Sequence, residues 1–215
     1  MTHSLHRVGD EEQLKEEYVL LSSAADGFNV EGAKEKLIKI MDIIEEVGPV
    51  NFGFSKVGCA HVGVTMAYLR SIYNNRSRVR AVFSSRQKFK KLLQRLKEED
   101  VGISITIAGL RTELQKIAKE VGITPHSVNL SLGVFGKKEL LPPREILEIT
   151  TMCGHHLVSP LLARKVIDDV KKGVLGPKEG AIELAKPCIC GFVNQERVQK
   201  VIERVTGRNN QESEA

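Results

Sequence analysis

The sequence predicts an α/β protein in which a mainly parallel sheet lies between two layers of helices, a three-layer α/β/α arrangement. Three observations predict this class. Four short apolar or alternating runs have the length and composition of strands. Helical patterns separate these runs, as right-handed crossovers between parallel strands require. Only helical patterns precede the first run and follow the last, so helices are expected at both ends of the chain.

Residues 1–47 are predicted to form an N-terminal helical segment. Asp10 can cap a helix that runs to about Ser22, and Asn29 can cap a second helix that runs to Glu46. Apolar residues recur at three- and four-residue spacing in the second helix, so one of its faces should pack on the sheet.

The α/β domain is predicted over residues 48–136, with strands and helices in strict alternation. Its strands carry apolar or alternating residues, and its helices have apolar residues on one face. The expected strands are 50–54, 78–83, 102–108 and 127–134, and the expected helices are 59–73, 86–98 and 111–121.

A helical segment is predicted over residues 137–206, because strand patterns stop near Pro142-Pro143. The last residues, 207–215, are polar and are expected to be a disordered tail. Helices are expected at 144–151, 158–172, 178–186 and 194–206.

Composition excludes several broad classes of protein. The 215 residues are 41% hydrophobic and 27% charged, close to the average for globular proteins, which argues against a disordered or fibrous chain. No apolar stretch is long enough to span a membrane. The first twenty residues have neither an apolar core nor the basic character of a targeting peptide. We therefore expect a cytoplasmic protein.

Cysteines and histidines cluster in the predicted C-terminal segment and indicate a metal site. Cys153, His155 and His156 lie together, and Cys188 and Cys190 follow more than thirty residues later. Two short pairs from separate parts of a chain are a common way to supply thiolate and imidazole ligands. This donor set suits zinc, and it also suits an iron–sulfur cluster.

The spacing leaves the fourth ligand open between the two histidines. Cys153 and His156 would share a face of a helix, whereas Cys153 and His155 would share a side of an extended segment. Cys188 and Cys190 would share a side if extended, which the neighbouring Pro187 and Gly191 favour.

Two other interpretations of the cysteines need no metal. Free cysteines are often simply buried core residues, and Cys59, alone at a predicted helix start, fits this interpretation best. Alternatively, Cys188 and Cys190 precede a helix predicted after Asn194, whose N-terminus would lower a thiol pKa. They would then form a metal-free, redox-active or nucleophilic pair.

A basic segment, residues 76–97, has nine lysines and arginines and no acidic residue, whereas the whole chain carries a net charge of +5. The helix within it would project its charges away from an apolar face, toward nucleic acid or an acidic partner. The alternative is a solvated helix face, because no aromatic residue is left for base stacking. The candidate nucleic-acid contacts are Arg86, Lys90, Lys91 and Arg95.

Two further groups of polar residues are candidate contacts for a substrate or anion. His3, His6 and Arg7 form a polar cluster near the N-terminus that can close over a site supplied by the rest of the chain. Ser84 and Ser85 follow the second predicted strand, where open α/β sheets place ligands.

Several phrases of the sequence resemble an uncharacterised family of anaerobic bacteria and archaea. The phrases are HSLHR, GLRTELQKIAKEVGITPHSVNLSLG, LEITTMCGHH and AKPCICGFVN, and the similarity runs from His3 to about Val205. The resemblance implies a metal site and an anaerobic setting, and it implies no particular reaction. In this family the position of Cys59 need not be cysteine, which leaves Cys153, Cys188, Cys190 and one histidine as ligands.

The functional hypothesis from the sequence is a metal-binding protein, zinc or iron–sulfur, that acts as a redox or small-molecule enzyme of anaerobic metabolism. Its expected partner is a small molecule or an electron-transfer partner. The first alternative is a module that binds nucleic acid or an acidic partner and holds a structural metal. The second is a metal-free thiol redox protein.

Overall fold

The computed structural model describes residues 7–209, which form a five-stranded sheet with helices on both faces. The strand order is β3-β2-β4-β1-β5. The strands are β1 (Tyr18–Ser23), β2 (Asn51–Phe54), β3 (Gly58–Cys59), β4 (Arg78–Phe83) and β5 (Ser104–Gly109). The α-helices are α1 (Glu11–Leu14), α2 (Ala33–Val47), α3 (Met66–Ile72), α4 (Arg86–Glu99), α5 (Arg111–Val121), α6 (Arg144–Thr150), α7 (Pro160–Lys171), α8 (Pro177–Ala185) and α9 (Gln195–Thr206).

The predicted mainly parallel sheet is wrong, because every pair of neighbouring strands is antiparallel. β1 lies between β4 and β5 and runs opposite to both. β4 and β5 therefore have the same direction, as predicted for successive crossovers, but they are not neighbours.

One part of the error is the antiparallel pair β2–β4, whose connection holds β3 and only the short helix α3. The other part comes from β1, which the sequence analysis places in a helix over 10–22. Helix α1 covers only the first turn of that range. Tyr18 through Leu21 are all buried, so the strand reads as a continuous apolar run without the alternation that marks a half-buried strand. A short run of this kind cannot be told from a buried helix by its periodicity.

Two other predicted elements differ from the structure. The predicted strand at 127–134 is not formed, and its apolar side chains are exposed, including Leu132 at 84%. Alternation alone does not provide a strand with a hydrogen-bonding partner. The predicted helix at 59–73 begins instead with β3 and a short 3-10 turn, Ala60–Val62, and only its second half is helical, as α3.

The other helices confirm the predictions to within a few residues, because their sequences carry an apolar face and, at α4, α7 and α9, a side-chain cap. The Ser85 side chain accepts a hydrogen bond from the Lys88 backbone at the start of α4, and Asn194 does the same for Arg197 at the start of α9. Such caps satisfy amide groups that the first helical turn leaves unpaired. None of the helices between residues 7 and 209 is long and apolar enough to cross a bilayer.

Alternate residues of the strands face two different layers of helices. Tyr18 and Leu20 belong to a core shared with α2 to α5, whereas Val19 and Leu21 belong to a core shared with α6 to α9. The cysteines Cys153, Cys188 and Cys190 all lie in the second core. The C-terminal helices therefore place them against one face of the sheet.

Candidate metal centre

Two loops bring the predicted cysteines to the sheet. Cys188 and Cys190 lie between the end of α8 and the start of α9, in a turn closed by a 2.9 Å hydrogen bond from the Gly191 amide to the Cys188 carbonyl. Cys153 follows α6, and the His156 amide donates to its carbonyl at 2.9 Å. His156 has a positive φ of 55°, which few residues other than glycine adopt.

The loop that carries Cys188 and Cys190 lies in direct backbone contact with β2. A Cβ atom added at Gly191, whose φ is 72°, would be 2.1 Å from the Phe52 carbonyl carbon. One added at Gly53 would be 2.9 Å from the Cys190 carbonyl carbon. These two positions need glycine, and the close approach fixes the height of the thiols above the sheet.

Buried amides hold the far end of the same loop. The Asn51 side chain donates to the Val193 carbonyl at 3.0 Å, and the Asn194 side chain donates to the Glu16 carbonyl at 2.9 Å. Asn194 also accepts a hydrogen bond from the Ser84 hydroxyl at 3.2 Å. The loop is therefore attached to β2, to the segment before β1 and to the end of β4.

Three thiols and one imidazole converge in this region. The sulfurs of Cys188 and Cys190 are 3.6 Å apart, and the Cys190 sulfur is 3.6 Å from Nδ1 of His155. Cys153 belongs to the same buried cluster, and its thiol is close enough to that of Cys188 to change the pKa of both. The three cysteines are completely buried, whereas His155 is exposed and lies on the solvent side of the cluster.

Hydrogen bonding within the cluster gives the three thiols different acidities. The hydrogen bond with Cys188, together with burial, raises the pKa of Cys153. For Cys188, the hydrogen bond from Cys153 lowers the pKa, but the bond to Cys190 and burial outweigh it and raise the pKa to about 12. The hydrogen bond from Cys188 lowers the pKa of Cys190. Cys190 is thus the first of the three to become a thiolate.

The spacing of these donors can be compared with that of a tetrahedral metal site. With metal–sulfur bonds of about 2.3 Å and metal–nitrogen bonds of about 2.05 Å, two sulfurs are roughly 3.8 Å apart and a sulfur and a nitrogen roughly 3.6 Å apart. The sulfur–sulfur and sulfur–nitrogen distances of 3.6 Å are close to both values. Among residues 7–209, however, no group of three or more potential ligands is already arranged around one ion position. Two of the donor contacts thus have the spacing of a tetrahedral site.

The second candidate histidine and the fourth cysteine, which was expected to be a core residue, lie near the cluster. His156 is exposed, and its backbone amide closes the Cys153 turn. The Cys59 thiol is buried and donates to the Ala185 carbonyl at 3.7 Å, the same carbonyl that accepts from the Cys188 amide. Burial raises the pKa of Cys59. It is a neighbour of the cluster that already has a backbone partner.

Arg7 connects the N-terminal segment to both cysteine loops. Its guanidinium donates to the carbonyl of Met152, next to Cys153, at 3.2 Å, and to that of Phe192 at 3.3 Å. It also forms a 2.6 Å ion pair with Glu17. In the structure this predicted anion contact is thus engaged with protein groups, while His3 and His6 lie outside the described residues.

Glu17 is a buried residue that the sequence analysis missed. Its carboxylate is completely buried and pairs with Arg7 and, at 2.9 Å, with Arg197 of α9. Arg197 also donates to the Val8 carbonyl. In the sequence, Glu17 is a charged residue two positions before Val19. It therefore lies on the side of the chain that packs against the C-terminal helices.

The other predicted anion contacts serve the fold. Ser84 donates to Asn194, as described above, and Ser85 is the N-cap of α4. Neither is assigned a ligand by the structure.

The four candidate nucleic-acid contacts on α4 are paired with carboxylates of neighbouring helices. Arg86 and Lys90 contact Glu120 of α5 at 2.6 and 2.9 Å. Lys91 and Arg95 both contact Glu46 of α2 at 3.4 Å. The acidic residues absent from segment 76–97 are supplied by other parts of the chain, as the solvated-face interpretation requires.

Arg80 is a second buried charge that the sequence analysis missed. It is 6% exposed and lies two residues before Val82 on β4, so it faces the C-terminal layer. Burial lowers the pKa of its guanidinium. The electrostatic interactions with Cys190 and Cys188 act in the opposite direction but do not outweigh burial. The sequence signal is an arginine between Val79 and Ala81, in a strand whose other inner positions are apolar.

Comparisons with protein-family models, with curated proteins and with solved structures find no match to this chain.

Proposed function

We propose that the protein binds one zinc ion through Cys153, Cys188, Cys190 and His155. The observation that carries the proposal is the pair of 3.6 Å contacts, Cys188 to Cys190 and Cys190 to His155, which match the donor spacing of one tetrahedral ion. Three thiolates and one imidazole also complete the coordination of a single zinc ion. Of the two histidines that the sequence left open, His155 is the one whose ring touches a thiol.

The surroundings of the cluster support this assignment. Buried thiols become good ligands when their surroundings stabilise the thiolate, and the hydrogen bond from Cys188, with a smaller contribution from the Arg80 charge, lowers the pKa of Cys190. When bound, zinc would supply Lewis acidity at its solvent side, where His155 is the single exposed donor. We propose a small molecule as the partner of this site. The reducing cytoplasm, where thiols persist, is its proposed location.

An iron–sulfur cluster is the alternative metal group, because two cysteines 3.6 Å apart also fit a single iron. An iron–sulfur cluster with two irons, however, needs four protein ligands, two on each iron. The compact set of three sulfurs and one nitrogen favours the single ion.

One observation favours a second function, metal-free thiol exchange. Cys190 has a lowered pKa and lies 3.6 Å from Cys188. The Cys190 thiolate would attack a disulfide substrate and release one thiolate. Cys188 would then lose its proton and attack the mixed disulfide, which releases the second thiolate and leaves a Cys188–Cys190 disulfide. The substrate disulfide is the oxidant and gains both electrons.

Metal analysis of the full chain, purified without oxygen from medium that contains zinc and iron, tests the proposal. We expect about one zinc per chain, little iron or sulfide, and an X-ray absorption spectrum of three sulfurs and one nitrogen. Cys188→Ser and His155→Ala should lose most of the zinc. Their matched controls, Cys59→Ser and His126→Ala, should keep the zinc. The Cys59 thiol already has a backbone partner, and His126 is an exposed loop residue outside the proposed ligand set.

Three outcomes would contradict the zinc assignment. Brown protein with iron and sulfide would establish the cluster instead. Metal-free protein whose Cys190 is alkylated rapidly at neutral pH would establish the thiol function. Loss of zinc in Cys59→Ser but not in Cys188→Ser would show that the ligands were assigned wrongly.

A further inference from the structure

A basic cleft opens at the end of the sheet where β2 ends and β4 begins. Its volume is about 280 Å³, and its lining includes Lys56, Arg76, Arg78 and Arg80 together with the polar residues Ser55 and Ser77. No aspartate or glutamate is among the described residues that line it. The cleft therefore concentrates positive charge at a concave surface, which favours an anionic ligand.

Arg80 is the buried cation among the residues that line this cleft, and two of its three guanidinium nitrogens lack hydrogen-bond partners among residues 7–209. Its Nε and Nη1 atoms are buried, and neither has an acceptor within the part of the chain that the structure describes. A buried donor without a partner is destabilising, and more so when it is charged, so an acceptor supplied by a ligand would be favourable. The neighbouring thiols contribute charge without accepting hydrogen bonds from these two atoms, so the guanidinium retains donors for a ligand.

The cations at the rim are also available. Arg78 and Lys56 are exposed and make no ion pair within 4.0 Å among the described residues, although Lys56 lies 6.0 Å above the Phe54 ring. Arg76 pairs with Asp26, but both side chains are more than 70% exposed, so solvent weakens that pair. The contrast is with α4, where each candidate cation has a carboxylate partner.

We propose that this cleft binds the phosphate group of a small molecule, with Arg80 as its buried anchor and Lys56 and Arg78 at its rim. Guanidinium groups bind phosphate oxygens with two parallel hydrogen bonds, and the rim cations add charge. The buried anchor favours a small ligand that enters the cleft over a polymer that lies across it. The site uses none of the proposed zinc ligands, although Arg80 also acts electrostatically on the Cys190 thiol.

Calorimetric titration of the full chain with inorganic phosphate and with pyrophosphate, at constant ionic strength, tests the proposal. We expect pyrophosphate to bind more tightly than phosphate, since its greater charge can engage both the anchor and the rim. Arg80→Met should weaken pyrophosphate binding by about tenfold or more, as expected for loss of a charge-assisted hydrogen bond. Arg95→Ala, which removes a paired cation, is the matched control and should bind normally.

A second pair of variants keeps the test decisive if Arg80→Met does not fold. Lys56→Ala and Arg78→Ala change exposed side chains, and each should weaken binding severalfold while the melting temperature of the free protein stays constant. Absence of pyrophosphate binding at millimolar concentration would overturn the proposal. Equal loss of binding in Arg95→Ala would overturn it too, because the effect would then be general charge attraction. Tighter binding of a single-stranded oligonucleotide, with the same dependence on Arg80, would replace the small molecule by a nucleic acid.

Discussion

The two faces of the sheet bury side chains of different chemistry. Toward α2 to α5 the core is closed by aromatic and aliphatic groups, with the Phe89 ring stacked on Tyr18 at 5.0 Å and tilted against Phe83 at 5.9 Å. Toward α6 to α9 the same strands present Glu17, Arg80 and Asn51, and the cysteine loops lie above them. Apolar contacts tolerate small shifts, whereas buried charges need partners at fixed positions. The second face is therefore the one that carries the buried charges and thiols of the candidate sites.

The largest effect is expected from the buried ion pairs of the second face. Glu17→Gln removes the buried negative charge that pairs with both Arg7 and Arg197, so we expect the free energy of unfolding to fall by about 4–5 kcal/mol. Urea denaturation of the full chain measures this loss. Glu12→Gln, which alters an exposed pair with Lys15, should cost less than about 1 kcal/mol. A similar small cost for Glu17→Gln would mean that the pairs contribute little to the second face.

A slightly smaller loss of unfolding free energy is expected for a substitution in the core of the first face, and this substitution should not change zinc binding. Phe89→Ala removes a buried ring and should cost about 3–4 kcal/mol of unfolding free energy. Zinc content per folded chain should stay the same, because Phe89 contacts the core opposite to the thiols. Phe28→Ala is the matched control, since that ring is 92% exposed. Loss of zinc from folded Phe89→Ala would show that the two faces are coupled.

The smallest of the three losses of stability is expected where the loop that carries Cys188 and Cys190 contacts β2. Gly191→Ala and Gly207→Ala both place a side chain at positive φ, at 72° and 69°, but only the first adds an overlap with Phe52. Strain alone costs of order 1 kcal/mol, and overlap in a packed core adds about 2 kcal/mol. We therefore expect Gly191→Ala to cost about 2–3 kcal/mol in urea denaturation and to lower zinc affinity. Equal costs for the two variants would show that the loop can move away from β2.

Much of the helical architecture was predictable because the information is local. Apolar spacing and capping residues such as Ser85 and Asn194 lie within one or two turns of the helices they define. β1 was mistaken for a helix because its residues are buried on both sides, and burial depends on layers that lie far away in the sequence. The antiparallel direction of two of the four pairs followed from that strand, which separates β4 from β5, and the β2–β4 pair is antiparallel independently of it.

The candidate site was predictable in part. The grouping of Cys153 with Cys188 and Cys190 is visible as sequence phrases, and the structure brings their side chains together. The choice between His155 and His156 depends on the local turn, in which His156 takes a positive φ. Arg80 appears in the sequence as one cation among many in a basic segment. Its importance arises from burial without a partner, which no sequence pattern records.

The sequence by itself determined the positions of most helices, the clustering of thiols and histidines in the last third of the chain, and the excess of positive charge over 76–97. These properties depend on residue type and short spacing. Only the tertiary structure decided which strands are neighbours, which histidine meets a thiol, and which cations are neutralised. Those outcomes depend on contacts between residues up to 189 positions apart, such as Arg197 and Val8, and such contacts form only when the layers pack.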